Sequence, residues 1–386
     1  MTEPIPLARP ELGPREEELV LEALRSGRLS LGPRLTEFEY EFASWLGSDD
    51  AIAVSSGTAA LHLGVRRLGW GAGDEVLTSP LSFVASSNCL LYEGATPVFC
   101  DIDPVTLNID PTAAQSAADN RRIAGILPVH IFGYPADLIA LESIADAYEA
   151  PILEDACQAL GAVDSEGRQI GAAGHLAAFA FYANKQLTTG EGGMLVPTTD
   201  EGMAEVLRSE RNQGRSPDMA AVDHVRIGFN YRMTDIQAAL GLAQLERIDD
   251  LLADRAEVAI AYGEVLAGVG GAPAGRGDPD GLVLPCEDTG DEQRSWFVYV
   301  VQLPEAADRT AVIESLAANG VASKAYLPCI HTMPPYRERF GFQGGEFPVA
   351  ERVAARSLAL PFFPAMHETQ VERVCSALAG ALQAAA

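Results

Sequence analysis

The chain reads as an α/β protein. A large unit over 1–250 is built on a mostly parallel sheet in three layers, and a smaller α+β unit follows over 251–386. Two observations predict this. Over the first three-fifths, short apolar runs alternate with helical periodicity, the βαβα rhythm of a parallel sheet covered on both faces. Beyond it, a loop rich in Gly, Pro and Asp over 269–292 precedes a short strand–helix–strand set.

The elements follow in order. Gly13-Pro14 opens a helix over 15–25, and Gly27 lies past its end. Thr36-Glu37-Phe38-Glu39 has the form of a capping box and opens the next helix, with Phe38, Phe42 and Trp45 on one face. Strands are expected over 51–54, 75–78, 97–101, 123–129, 151–154, 177–181 and 193–196. Helices are expected between them over 59–68 and 85–92, after Pro111, and over 138–148. Residues 213–229 are polar and poorly periodic and predict a mobile loop. Helices over 234–248 and 251–266 come next. Strand 296–303, helix 307–319, strand 321–326 and two terminal helices complete the smaller unit.

Bulk properties exclude several classes. A net charge of −27 argues against nucleic acid and anionic membrane as partners. No run of 18 apolar residues is present, and Met1-Thr2-Glu3-Pro4 is not the start of a signal peptide. Six scattered cysteines form no CxxC pair and suit a reducing cytoplasm. The six histidines lack metal spacing, so no metal is expected.

Only two of the 27 basic residues are lysines, Lys185 and Lys324. Arginine stays protonated, whereas a desolvated lysine can lose its proton and attack a carbonyl. Lys185 follows an apolar strand and precedes the Gly-rich turn Thr188-Thr189-Gly190-Glu191-Gly192-Gly193, a setting that can hold a reactive amine. Ser55-Ser56-Gly57-Thr58-Ala59-Ala60-Leu61 spans a strand-to-helix junction and is either an anion pocket or a plain Ser-rich N-cap. It lacks GxGxxG and the Walker lysine. Asp155 ends an apolar strand, where it either faces the cleft or caps the next helix. An amine, a carboxylate and an anion pocket at three strand ends match the needs of pyridoxal 5′-phosphate (PLP): covalent attachment, a counter-ion for the ring nitrogen and a phosphate seat.

These residues, with Glu154-Asp155-Ala156, Asn184-Lys185 and Gly228-Phe229-Asn230-Tyr231-Arg232-Met233, resemble the DegT/StrS type of PLP-dependent sugar aminotransferases, of the aspartate aminotransferase fold (fold type I). The resemblance runs from about Pro6 to the last helix. It implies that Lys185 forms the Schiff base with the cofactor, that Asp155 pairs with the ring nitrogen and that Gln158 approaches the ring hydroxyl. It also implies that Phe83 stacks on the ring, that Gly57, Thr58 and Ala59 hold phosphate, and that Asn230 reaches the phosphate in a neighbouring subunit. The partner is then a second copy, in a homodimer or larger homo-oligomer. Read singly, Phe83 also suits a core position, Asn230 a turn, and Arg232 an ion pair with an acid at the start of the helix after it. Many relatives carry Ser five residues before the lysine, where this chain has Ala180. Ser56 or water would replace that hydroxyl.

The implied reaction is transamination from L-glutamate to a nucleotide-linked keto sugar by a ping-pong course, with Lys185 as proton carrier. Residues 182–186 and 328–337 look most like perosamine synthases and related enzymes that aminate 4-keto-6-deoxyhexoses. In so acidic a chain, Arg232, Lys324, His331 and Arg337 are the candidate cations for a nucleotide diphosphate, or else surface ion pairs. A keto-cyclitol acceptor, or a PLP-binding regulator without turnover, are the alternatives.

Overall fold

The computed structural model describes residues 3–200, 202–216 and 223–385. The chain begins its helices with α1 (Pro14–Ser26), where Pro14 needs no donor and Gly27 closes the end at φ 70°. Helix α2 runs Pro33–Leu46, a turn earlier than the Thr36 capping box implied. The cap comes from far along the chain: Leu35 N–H donates to Asp235 Oδ1 at 3.0 Å. Gly32 is needed there because a Cβ would fall within 2.8 Å of that carboxylate. Glu39, read as half of the box, instead accepts from Ala53 N–H and pairs with Arg211 inside the protein.

The large unit continues as β1 (Ile52–Val54), α3 (Gly57–Arg67), β2 (Glu75–Thr78), α4 (Ala85–Glu93), β3 (Thr96–Phe99), α5 (Pro111–Asp119), β4 (Ile123–Leu127), α6 (Leu138–Ala147), β5 (Leu153–Asp155), β6 (Leu176–Ala180), β7 (Gly193–Val196), α7 (Met203–Arg211) and α8 (Asp235–Leu245). Parallel bridges Ile126–Ile152 and Val129–Asp155 join the two strand sets into one sheet of order β3-β2-β4-β5-β6-β7-β1. Only β7 runs against its neighbours. Side chains alternate across the strands, and every strand is buried on both faces. Ala53, Ala177, Phe179 and Met194 join α1, α2 and α8 on one side. Ile52, Val54, Leu176, Ala178 and Leu195 join α3 and α4 on the other.

The expected loop 213–229 falls partly outside the described residues, at 217–222. Beside that stretch, Arg215 pairs with His224 and Asn212 with Asn230.

Helix α9 (Ile248–Ala267) leads to β8 (Ala272–Pro273), β9 (Val283–Leu284), β10 (Tyr299–Gln302), α10 (Arg309–Ala318), β11 (Lys324–Ala325), α11 (Pro334–Phe340), α12 (Pro348–Arg356), β12 (Ser357–Leu360) and α13 (Glu368–Ala385). Their sheet has the order β11-β12-β10-β9-β8. The Gly- and Pro-rich loop thus carries two short strands, and β12 is a strand the sequence reading lacked. Ser357-Leu358-Ala359-Leu360 follows α12 directly, with no turn residue to mark the boundary. Ile5 bridges Val321 and belongs to this second core, not the first.

Candidate active site

Strands β1, β5 and β6 are mutually parallel, so their C-terminal ends lie on one edge of the sheet, where ligands collect in open α/β folds. Three predicted elements meet there: the Ser55–Ala59 turn after β1, Asp155 at the end of β5, and Lys185 shortly after β6.

At the first, Ser56 caps α3 by accepting from Ala59 N–H at 3.1 Å. The Gly57 and Thr58 N–H groups have no acceptor within the helix, and the helix dipole adds positive potential. The turn is packed tightly. A Cβ on Gly57 would lie 2.6 Å from Ala180 Cβ and 2.9 Å from Cys157 Sγ. A Cβ on Gly193 would lie 2.6 Å from the Ser56 backbone. Ala180 therefore fills the space against Gly57.

Asp155 is buried, and both its oxygens are held: Oδ2 accepts from Ser86 Oγ at 2.6 Å and Oδ1 from Cys157 N–H at 3.1 Å. Ser86 in turn contacts Ser82 Oγ at 2.7 Å. The Gln158 amide oxygen accepts from Phe132 N–H at 3.0 Å, so its NH2 is the group left to donate. Phe83, 59% exposed, begins the turn before α4, where Ser86 N–H donates to its carbonyl.

Lys185 Nζ lies 3.9 Å from the centroid of the Phe297 ring. Burial pulls its amine down to about 8, against the opposing pull of Cys157 and Asp155 and with help from Arg255. Such an amine is partly neutral at physiological pH and nucleophilic. Gln186 pins the neighbouring strap: its Nε2 donates to the Gln158 carbonyl at 2.7 Å and contacts Ser295 Oγ at 3.1 Å. Ser86, Arg255, Ser295 and Phe297 went unread in the sequence. An arginine on the apolar stripe of α9 was the one available signal.

Asn230 is exposed and pairs with Asn212 beside β1, where Ser55 N–H donates to the Tyr231 carbonyl at 2.8 Å. Arg232 pairs with no acid among the described residues, and its Nη1 donates to Asn212 Oδ1 at 3.1 Å. Lys324 is exposed on β11. Arg337 is exposed and donates to the carbonyls of Phe342 and Gln343. His331 requires correction as a substrate cation. It is fully buried, its Nε2 meets Glu351 Oε1 at 2.9 Å, and the Phe347 ring packs at 4.7 Å. No face is open to a phosphate.

The donor set suits PLP. The free N–H groups of α3 fit a phosphate, the Asp155 carboxylate a ring nitrogen, the Phe83 ring a flat heterocycle, and the Lys185 amine an aldehyde. The six cysteines are free, and among the described residues no helix is long and apolar enough to cross a membrane.

Comparison with known proteins agrees with this chemistry. The profile of the DegT/DnrJ/EryC1/StrS aminotransferase family matches residues 10–379. The chain is 38% identical over 377 residues to GDP-perosamine synthase of Caulobacter vibrioides, covering 97% of each. It is 37% identical over 387 residues to the spore coat polysaccharide biosynthesis protein SpsC of Bacillus subtilis, covering 97% of this chain and 96% of that one. The solved structure of DesV from S. venezuelae superposes with a TM-score of 0.87 at 33% identity, covering 98% of both chains.

Proposed function

Because the chain belongs to the DegT/DnrJ/EryC1/StrS aminotransferase family and is a PLP-dependent aminotransferase of fold type I, we propose that it transfers the amino group of L-glutamate to a nucleotide-linked keto sugar. The acceptor in this reading is a 4-keto-6-deoxyhexose, and the course is ping-pong in the cytoplasm. The likeness to a GDP-perosamine synthase across nearly the whole chain supports the acceptor class. One observation carries the catalytic assignment: a single lysine, with its amine lowered to about 8, stands among the strand ends that also bear Asp155 and the α3 N-terminus.

PLP supplies an electron sink that makes the substrate Cα–H acidic. The chain's own groups do the rest. Lys185 would hold the cofactor covalently, and its free amine would serve as the base that takes the proton from the substrate Cα and later returns it. Asp155, fixed by Ser86 and Cys157 N–H, offers a carboxylate to the ring nitrogen. Gln158, oriented by Phe132 N–H, offers its NH2 to the ring oxygen. Phe83 covers one face, and Gly57, Thr58 and Ala59 bind phosphate. Asn230 crosses to the phosphate of a second copy in a homodimer or larger homo-oligomer. Arg232, Lys324 and Arg337 are the cations offered to the diphosphate. This division of labour takes 1–250 as the cofactor unit and 251–386 as the smaller unit.

The test follows 2-oxoglutarate released from glutamate against a panel of nucleotide-linked 4-keto and 3-keto sugars and keto-cyclitols. Turnover with a nucleotide 4-keto-6-deoxyhexose is the expected result. Turnover with keto-cyclitols alone would replace the acceptor, and failure of the glutamate half-reaction would remove the donor.

A further inference from the structure

Helix α9 lays Leu251, Val258, Ala259, Tyr262 and Leu266 against the core, and Arg255 stands on the same stripe. It is 3% exposed. Among the described residues no carboxylate pairs with it, and burial alone pulls its pKa down to about 10. The guanidinium forks between two backbone carbonyls instead: Nη2 donates to that of Lys185 at 2.9 Å and Nη1 to that of Phe297 at 3.3 Å. Among the described residues its Nε has no partner, and the Phe362 ring lies 5.8 Å away. A buried cation without a counter-ion is strongly disfavoured, and an apolar residue would pack this stripe better. The two carbonyls belong to the residues whose side chains meet, the Lys185 amine over the Phe297 ring.

We propose that Arg255 is a positioning residue for Lys185: its fork fixes the lysine's backbone to that of the ring beneath, and its uncompensated charge favours the neutral, nucleophilic amine. The inference rests on the reading of Lys185 as the amine that binds the cofactor. Three groups act on that amine. Burial outweighs them all, Asp155 and Cys157 stabilise the ammonium, and Arg255 is the cation that opposes it. The Cys157 thiol is itself pushed far up by burial and is uncharged at neutral pH. Asp155 and Arg255 are therefore the two charges that act on the amine in opposite directions, on top of burial.

The scarcity of lysine makes a clean measurement. Cofactor-free protein is treated with trace isotopic acetic anhydride from about pH 6 to about pH 11, across the range where lysines titrate. Acetylation of Lys185 and Lys324 is then read by peptide mass mapping, with the exposed Lys324 as internal reference. In the wild type the Lys185 profile has its midpoint near 8. Arg255→Met moves that midpoint up by about one pH unit, so the neutral fraction at pH 7 falls roughly tenfold, while Lys324 is unchanged. Arg255→Gln moves it the same way, and Arg255→Lys, which keeps the charge, leaves it in place. A folded neutral variant with the wild-type midpoint overturns the proposal, as does an Arg255→Lys that shifts as far as Arg255→Met. If neither neutral variant folds, Arg255→Lys alone decides: an unmoved midpoint supports the proposal and a shifted one ends it. If wild-type Lys185 instead titrates together with Lys324, the reading of Lys185 itself fails.

Discussion

Replacing Lys185 by Met should make the cofactor-free protein more stable. The amine falls from an ordinary 10.5 to about 8 on folding, a gap of about 2.5, and each pH unit is worth about 1.4 kcal/mol. The gap amounts to about 3 kcal/mol, and the partial exposure of the side chain trims it to about 2–3 kcal/mol. Between about 8 and 10.5 the unfolded chain holds a proton that the folded chain has released, so stability rises with pH across that window. Below about 8 both states are protonated and the full penalty of a buried cation applies. The assay is urea unfolding of both proteins without cofactor, at pH 7 and at pH 9.5. Other groups titrate alike in the two and cancel in the difference. The variant should lead by about 2–3 kcal/mol at pH 7 and by about half as much at pH 9.5. A variant equal to or weaker than the wild type at pH 7, or a lead that does not shrink with pH, would refute the reasoning.

Other perturbations test the rest of the site. Asp155→Asn should keep the fold and lose about 100-fold in turnover, since a charge aimed at the reacting system is removed; steady-state kinetics decide it, and a near-normal rate would strip Asp155 of its role. Ser86→Ala breaks the 2.6 Å bond to Asp155 and should lower kcat about ten- to a hundredfold; an unchanged kcat would show that Cys157 N–H suffices. Gly57→Ala forces a Cβ to within 2.6 Å of Ala180 and should reduce stability by about 1–3 kcal/mol while weakening PLP retention, read from urea midpoints and cofactor dialysis. Mixing inactive Lys185→Ala and Asn230→Ala subunits should restore part of the activity, because one of the two sites in a hybrid is then intact; a hybrid without activity counts against sharing.

Sequence made the layered sheet legible because its strands are short apolar runs, most of them set off by helix signals and β6 and β7 by the Gly-rich turn between them. It misplaced the start of α2 because the cap, Asp235, lies 200 residues from the amide it serves, and no local pattern reports that. It passed over β12, whose residues Ser357-Leu358-Ala359-Leu360 follow a helix without punctuation. At the site, the lysine, the aspartate and the Ser-Gly-Thr turn stood out because each carries chemistry at a strand end. Ser86, Ser295 and Phe297 did not, because they act through contacts that only the folded chain creates. His331 misled for the opposite reason. A histidine in a Pro-rich stretch looks exposed, yet Phe347 and Glu351 enclose it.

The start of the chain is laced into its far end. Ile5 N–H donates to the Gly320 carbonyl, Ala322 N–H donates back to Ile5, and Phe362 N–H donates to the Leu7 carbonyl. During synthesis residues 5–7 leave the ribosome long before residues 320–362 exist, and they must wait unpaired until those emerge. Loss of residues 5–7 would thus be felt in the second core rather than beside the cut. The same lacing means that 251–386 expressed alone would have an open seam where Ile5 belongs.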